Sequence, residues 1–492
     1  MKILTANQIA EADQATIERE PISSLALMER AAEELARWIG ENTEPDQRLI
    51  FCCGKGRNGG DGVAVARLLH GAGLECVVFL AADYNQLAPE TRANIDRLPK
   101  GVEVYDITSE QPDIEPSAVI VDALLGTGVA GEVRGPVASV IGWINGLPNR
   151  VISIDLPSGM TTEWDNSGRT IVRAETTLTL QFPKLSLLLS EVGECAGNVV
   201  VISIHLNQQF IYETPSPYYY ITEETASELR RPRAKFSHKG TYGHALLVCG
   251  SGGMIGAATL ATSGALRSGC GLVTAHIPKA ERFALQANWP SAMLSLDSAD
   301  CFSTVPTELE RFSAIGVGPG LGQDARTVDA LAGLLQQAST LKIPMLLDAD
   351  ALNIITANPL LAKSIPAGSV LTPHPRELQR LVGEWADDRE KLAKTLELAQ
   401  ELKSVVVVKG AHTAICTPDG RVLFNSSGNP GMAKGGSGDV LAGYITGLLA
   451  RGYTAEDACV IGVYIHGRAG DKAAEYYGEE AMNSADLTEF FE

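Results

Sequence analysis

Residues 427–447 read S-G-N-P-G-M-A-K-G-G-S-G-D-V-L-A-G-Y-I-T-G, a glycine-dense turn that gives way at Asp439 to an apolar helical pattern. Gly435, Gly436 and Gly438 can take left-handed backbone conformations and bring N–H groups to one point, where the helix also aims the positive end of its dipole. Such a turn cradles a phosphate. Asp439 is the odd residue, because bound phosphates repel a carboxylate. Its use would be as general base for a hydroxyl about to be phosphorylated. The alternative is a capping Asp that closes the turn.

At 492 residues the chain suits two domains, each with its own core. Lys and Arg number 40 against 59 Asp and Glu, a formal charge of -19, which argues against nucleic acid or an anionic membrane as partner. A phosphate ligand must then be held locally, by glycine turns and helix ends. The nine cysteines, at 52, 53, 76, 195, 249, 270, 301, 416 and 459, form no C-x-x-C pair and read as reduced core thiols. No run of about 18 uncharged apolar residues is present. A cytoplasmic protein is expected.

The first half opens with an amphipathic helix over 23–41 and a strand over 48–53 that feeds G-K-G-R-N-G-G-D-G, residues 54–62, then a helix from Val63. Gly54, Gly56 and Gly59 formally satisfy G-x-G-x-x-G, and Asp83 ends the next strand where a dinucleotide dehydrogenase keeps a ribose-binding acid. Against that reading, Asp61 at the helix mouth would oppose a pyrophosphate. Two more strands end in polar turns, S-A-V-I-V-D-A-L-L-G-T-G-V-A-G-E (117–132) and R-V-I-S-I-D-L-P-S-G (150–159). In an open α/β sheet the turns at that edge line the ligand crevice, so Asn58, Asp122, Asp155 and Ser158 can converge there. Their oxygens suit a hard cation; the alternative is carboxylates satisfied by backbone turns. Thr177–Lys184 and Asn198–Leu206 read as the last two strands, and T-P-S-P (214–217) as a linker.

The second half alternates strands and helices after residue 244, which predicts a mostly parallel, helix-covered sheet. A second glycine turn, G-S-G-G-M-I-G-A, spans 250–257. Lys409 follows four valines and is placed for a phosphate or ribose, or else snorkels from a strand end. His374, between two prolines, reads as a ligand contact ahead of a cap. Asp348 and Asp350 either attract magnesium or cap the following helix. His70, His205, His276 and His466 read as ordinary residues.

Together, K-G-T-Y-G-H, G-V-G-P-G-L-G, D-A-D-A-L-N, L-T-P-H-P-R-E, V-V-K-G-A-H-T and N-P-G-M-A-K-G-G-S-G-D-V-L-A-G resemble the ADP-dependent NAD(P)H-hydrate dehydratase family. The first half resembles its usual fusion partner, the NAD(P)H-hydrate epimerase, through G-K-G-R-N-G-G-D-G, D-A-L-L-G-T-G-V-A-G-E and D-L-P-S-G. The resemblance implies an α/β chain: a Rossmann-like three-layer epimerase domain over 1–213, a linker over 214–221, and a ribokinase-like dehydratase domain over 222–492. It implies an isomerase that interconverts the R and S hydrates of NADH and NADPH at C6, joined to a lyase that dehydrates the S form while ADP becomes AMP and phosphate. A homo-oligomer is expected. The rivals are a ribokinase-like kinase acting on a small alcohol and a nucleotide-sensing module without turnover.

Carried onto this sequence, the family's potassium ligands fall on Asn58, Asp122 and Ser158. Its epimerase hydrate site falls on Arg57, Asn58, Gly59, Gly60, Asp61, on Gly126, Thr127, Gly128, Val129, Ala130, Gly131, Glu132, and on Asp155, also the candidate for proton transfer. Arg57 departs from the family, which has an asparagine there. The dehydratase hydrate site falls on Ala257, Gly320, His374, Pro375, Arg376, Glu377, Leu378, Gln379, Arg380 and the catalytic Asp439. The ADP site falls on Lys409, Gly410, Ala411, His412, Thr413 and on Asn429, Pro430, Gly431, Met432, Ala433, Lys434, Gly435, Gly436, Ser437, Gly438. Magnesium is expected with the ADP, with no ligands identified.

Overall fold

The computed structural model describes residues 1–129 and 131–492; Ala130, one of the hydrate positions, lies outside the described residues. The chain divides into residues 2–218 and residues 219–492, the latter joined by Met1, which exchanges main-chain hydrogen bonds of 2.8 and 2.9 Å with Tyr220.

In the first unit seven strands form one parallel sheet: β1 (Leu49–Cys53), β2 (Cys76–Leu80), β3 (Glu103–Asp106), β4 (Val119–Ala123), β5 (Arg150–Ile154), β6 (Thr176–Leu180) and β7 (Asn198–Ile202). Their order is β3-β2-β1-β4-β5-β6-β7. L-I-F-C-C, C-V-V-F-L and V-I-V-D-A are buried throughout, as parallel strands covered on both faces require. The order reverses between β1 and β4, which opens a crevice at their carboxyl ends. The helix after β1 spans Arg57–Gly71, six residues earlier than the expected start at Val63. Its first turn presses so closely on the end of β1 that a methyl group on Gly59 would overlap the carbonyl of Gly54. Two thirds of the glycine run, residues 57–62 of 54–62, is therefore helix.

The second unit carries ten strands: β8 (Tyr218–Ile221), β9 (His244–Val248), β10 (Leu272–Pro278), β11 (Met293–Asp297), β12 (Ala314–Val317), β13 (Met345–Leu347), β14 (Val370–Leu371), β15 (Val405–Val408), β16 (Ala414–Cys416) and β17 (Val422–Asn425). They lie in the order β11-β10-β9-β12-β13-β14-β15-β16-β17-β8. The first seven pair in parallel, and β16 and β17 add antiparallel strands. Strand β8 falls within 214–221, where a linker was expected; Tyr220 and Ile221 bury their side chains, so the apolar end of that segment joins the sheet. The switch point lies between β9 and β12.

The helix Ser437–Ala450 starts two residues before Asp439, behind Gly436 at φ +97°, and is buried along most of its length. It packs against the helix Ile255–Arg267 through glycines: a methyl on Gly443 would overlap the carbonyl of Ala261, and one on Gly264 the carbonyl of Val440. Gly443→Ala should therefore overpack this contact and destabilise the unit by about 1–3 kcal/mol. An unchanged denaturation midpoint would show that the helices are free to separate. All nine cysteines are free thiols, and among the described residues no helix is long and apolar enough to cross a membrane.

Candidate active sites

In the first unit the switch point opens into a cavity of about 680 Å³, within the range of small-molecule sites. The turns after β1 and β4 supply Arg57, Asn58, Asp61, Gly126, Thr127, Gly128, Val129, Gly131 and Glu132 to its wall, and Asp155 joins them from the end of β5. Gly59 and Gly60 are buried within the helical turn behind this wall.

Asn58, Asp122 and Ser158 meet in one knot. The Ser158 hydroxyl donates to Asp122 Oδ1 at 2.5 Å, and its main-chain N–H donates to Oδ2 at 2.8 Å. The Ser153 hydroxyl and the Leu124 N–H complete the shell of Asp122. Asn58 donates to the carbonyls of Leu125 and Ile154, and Leu125 N–H donates to Ser158 Oγ at 2.8 Å. Burial pushes the Asp122 carboxyl up, against the pull of these donors. The Asp122 carboxylate is thus satisfied by the turns and hydroxyls around it, and Asn58 enters the knot through its amide nitrogen.

Asp155 takes a left-handed conformation, φ 70°, and so does Gln181, φ 61°, on the same cavity wall. Non-glycine residues held there store strain that the surroundings must hold in place. Lys184 does so for Asp155. Its ammonium, 1% exposed, forms an ion pair with the Asp155 carboxylate and donates to Thr179 Oγ1 and the Leu180 carbonyl, each at 3.0 Å.

In the second unit the switch point brings Gly320 against Ala257, the two turns being tied by Gly250 N–H to Pro319 O (2.8 Å) and Ser251 Oγ to Gly320 O (2.9 Å). The helix 437–450 aims its first turn at this edge. The N–H groups of Gly438 and Asp439 precede the first intrahelical bond, Val440 to Gly436, and so are free for an anion. The Ser437 hydroxyl is buried there with no partner among the described residues. Lys409 donates to Asp348 Oδ1 at 2.7 Å, and a methyl on Gly438 would stand 3.4 Å from its ammonium. Burial works against the charge of Lys409, but Asp348, with Glu377 and Asp439, outweighs it and raises its pKa. Asp439 is half-buried; burial first, then the Asp348 charge, push it up to about 7 despite Lys409. This set offers an anion cradle, a fixed cation and an acid poised near neutrality. It suits phosphoryl transfer to a hydroxyl.

The other carried-over positions sort by what their side chains touch. His374 performs the capping role that the sequence reading had set second: its Nδ1 accepts from the Arg376 and Glu377 N–H groups, and Glu377 accepts from the His374 N–H at 2.8 Å. The ring is bound to its own helix because the two prolines hold it at the helix mouth. In the same helix Glu377 and Leu378 are buried, Gln379 is half-buried, and Pro375, Arg376 and Arg380 are exposed. Asp350 accepts from Gly322 N–H at 2.9 Å and so pins the turn holding Gly320; it does not cap its own helix. Gly410 and Thr413 close a tight turn around Ala411 and His412. His412 donates to the Asn425 carbonyl. Asn429 caps the turn through Pro430, Gly431 and Met432. Beyond Ala433, Lys434 directs its ammonium to the carbonyls of Glu479, Glu480 and Met482.

A family model described as NAD(P)H-hydrate dehydratase matches residues 245–492, and one described as YjeF-related protein N-terminus matches residues 24–186. A bifunctional NAD(P)H-hydrate repair enzyme of Moorella thermoacetica is 35% identical over 100% of this chain and 96% of its own length. That of Escherichia coli is 34% identical over 94% of this chain and 87% of its own. The chain belongs to the bifunctional NAD(P)H-hydrate repair enzymes. The chain is also similar to the solved ADP/ATP-dependent NAD(P)H-hydrate dehydratase of Bacillus subtilis, co-crystallised with ATP and Mg2+, at 31% identity and a TM-score of 0.47, covering 56% of this chain and 96% of that one.

Four residues of the repair enzyme escaped the sequence reading. Lys184 sits in the apolar run F-P-K-L-S-L-L-L, where a lone charge implies a partner, the argument applied to Asp122. Asp13 comes from the first helix, which lines the cavity with Ile9, Ala10 and Ile17 at helical spacing. His466, read as ordinary, donates from Nε2 to the Ser437 carbonyl at 3.0 Å, and burial pushes its ring down to about 4, so it supports the anion turn as a neutral donor. Asp471 accepts from Gly428 N–H and Asn429 Nδ2, each at 3.1 Å. For the last two no local sequence signal exists.

Proposed function

We propose that the first unit interconverts the R and S hydrates of NADH and NADPH at C6 of the nicotinamide ring. The second unit dehydrates the S hydrate with ADP, releasing AMP and phosphate. One observation carries this reading: a half-buried carboxyl with a pKa of about 7, Asp439, stands in the first turn of a helix whose free amides and neighbouring Lys409 suit a diphosphate.

In the dehydratase unit Asp439 takes the proton of the C6 hydroxyl as its oxygen attacks the β-phosphorus of ADP and the bond to AMP breaks. The amides of Gly438 and Asp439 and the Lys409 ammonium stabilise the charge that develops on the phosphoryl oxygens. Phosphate is a far better leaving group than hydroxide. The ring nitrogen expels it, and loss of a proton from C5 restores the dihydropyridine. In the epimerase unit Asp155 exchanges protons at the C6 centre, with Lys184 fixing its carboxylate.

Potassium belongs to the same proposal. Asn58, Asp122 and Ser158, with the Leu125 carbonyl, form an all-oxygen set fit for it. Bound there, it would supply positive charge next to the hydrate's phosphates. Among the described residues no group of three His, Cys, Asp or Glu is placed to hold a metal, so magnesium is assigned to the nucleotide phosphates and water. A homo-oligomer in the cytoplasm completes the proposal, the nine free thiols favouring a reducing compartment.

The test is a chromatogram of the R, S and cyclic hydrates after incubation with the protein, with and without ADP. Interconversion of R and S without ADP, and growth of absorbance at 340 nm only with it, are expected. Phosphorylation of an added small alcohol with no consumption of hydrate would replace this reading with a kinase.

A further inference from the structure

The cavity of the first unit holds more acid–base groups than one carboxylate reaction needs. Asp13 enters from the helix Ala6–Arg19, on the face shared by Ile9, Ala10 and Ile17; Asp61 enters from the helix after β1; Asp155 enters from the sheet edge with Lys184. Arg57, Glu90, Glu132 and Arg134 line the same space. The three carboxyls differ in their partners. The Lys184 ion pair fixes Asp155, while Asp13 is half-buried and makes no hydrogen bond or ion pair among the described residues. Inversion at one carbon needs groups on both faces of the ring, and these two carboxyls enter one cavity from different elements, the helix Ala6–Arg19 and the turn after β5.

We infer that Asp13 is the second acid–base group of the epimerase unit, working across the nicotinamide ring from Asp155. The inference rests on the epimerase reading given above. In one direction the Asp13 carboxyl gives its proton to the C6 hydroxyl, the C6–O bond breaks as the N1 lone pair forms the N1=C6 bond, and one water leaves. The ring is then planar at C6. A second water adds its oxygen to the other face while the Asp155 carboxylate takes the proton it sheds, so one water leaves, one enters and no electrons are exchanged. The reverse direction runs with the two roles swapped.

The surroundings of Asp13 agree with a group that cycles. Burial first, then the Asp155 charge, raise it to about 6, opposed by Lys184 and Arg57. It is thus available in both forms near neutral pH. Burial first, then the Asp155 and Asp13 charges, also push the Asp61 carboxyl well up, opposed by Arg57.

The experiment follows R-to-S conversion by the full chain without ADP, in water enriched in oxygen-18. The parent should place one solvent oxygen at C6 per inversion, and its kcat/KM should fall as pH rises above about 6. Asp13→Asn should lower kcat roughly 100-fold or more with KM little changed, and Asp13→Glu should recover part of kcat. A kcat of Asp13→Asn within threefold of the parent, or inversion that retains the original oxygen, overturns the inference while leaving the epimerase reading standing. A parent that does not interconvert the hydrates at all removes both, so the two failures are distinct.

Discussion

Asp439→Asn should abolish dehydration while ADP still binds. The amide keeps the size and one acceptor of the carboxylate but cannot take a proton, so the loss expected is that of a general base, about 10²–10⁴-fold in kcat. Binding should hold or tighten, because the substitution removes a negative charge beside the diphosphate and leaves Lys409 and the first-turn amides in place. The pH profile gives an independent reading. Burial and Asp348 put Asp439 at about 7, above the ordinary carboxylate value, and a base works only when ionised. For the parent enzyme kcat/KM for the S hydrate should therefore rise about tenfold per unit as pH climbs toward 7 and level off above it. The residual activity of the variant should lack this limb. Loss of ADP binding together with activity would assign Asp439 to the nucleotide instead.

The same residue shows how far sequence alone reaches. The anion turn, the acid at its mouth and the parallel sheet behind it are local patterns: glycines at fixed offsets, valine runs, a charge after four β-branched residues. Each follows from what one short segment can do with its own backbone. Boundaries were harder. The helix at Arg57 hides its first turn inside a glycine run, and only the approach of Gly59 to the Gly54 carbonyl shows why glycine is needed within a helix there. Strand β3, E-V-Y-D, is exposed at the sheet edge and carries no apolar signature. Asp13 and His466 were illegible for a different reason. The first shares a cavity with Asp155, 142 positions away in sequence, and the second meets Ser437 across 29, and only the packing of separate elements brings each pair together.

Lys184→Met is expected to damage the first unit in two separable ways. The parent buries an ammonium with an acceptor for each of its three protons, the Asp155 carboxylate, Thr179 Oγ1 and the Leu180 carbonyl. Methionine fills much of the same volume but leaves a buried carboxylate uncompensated, and breaking one side of such a pair costs about 3–5 kcal/mol. Denaturation of the unit should begin at markedly lower denaturant, and R-to-S conversion should be lost with it, since Asp155 in its left-handed backbone has then lost the contact that aims it. The double variant Lys184→Met with Asp155→Asn separates the two effects. Removing the unpaired charge should restore most of the stability, as replacement of a whole buried ion pair often does. Epimerisation should stay absent because its base is gone. If the single variant denatures like the parent, the pair contributes nothing to folding, and the strain at Asp155 must be held by its N–H bond to the Leu178 carbonyl and the bond from Leu180 N–H to its carboxylate.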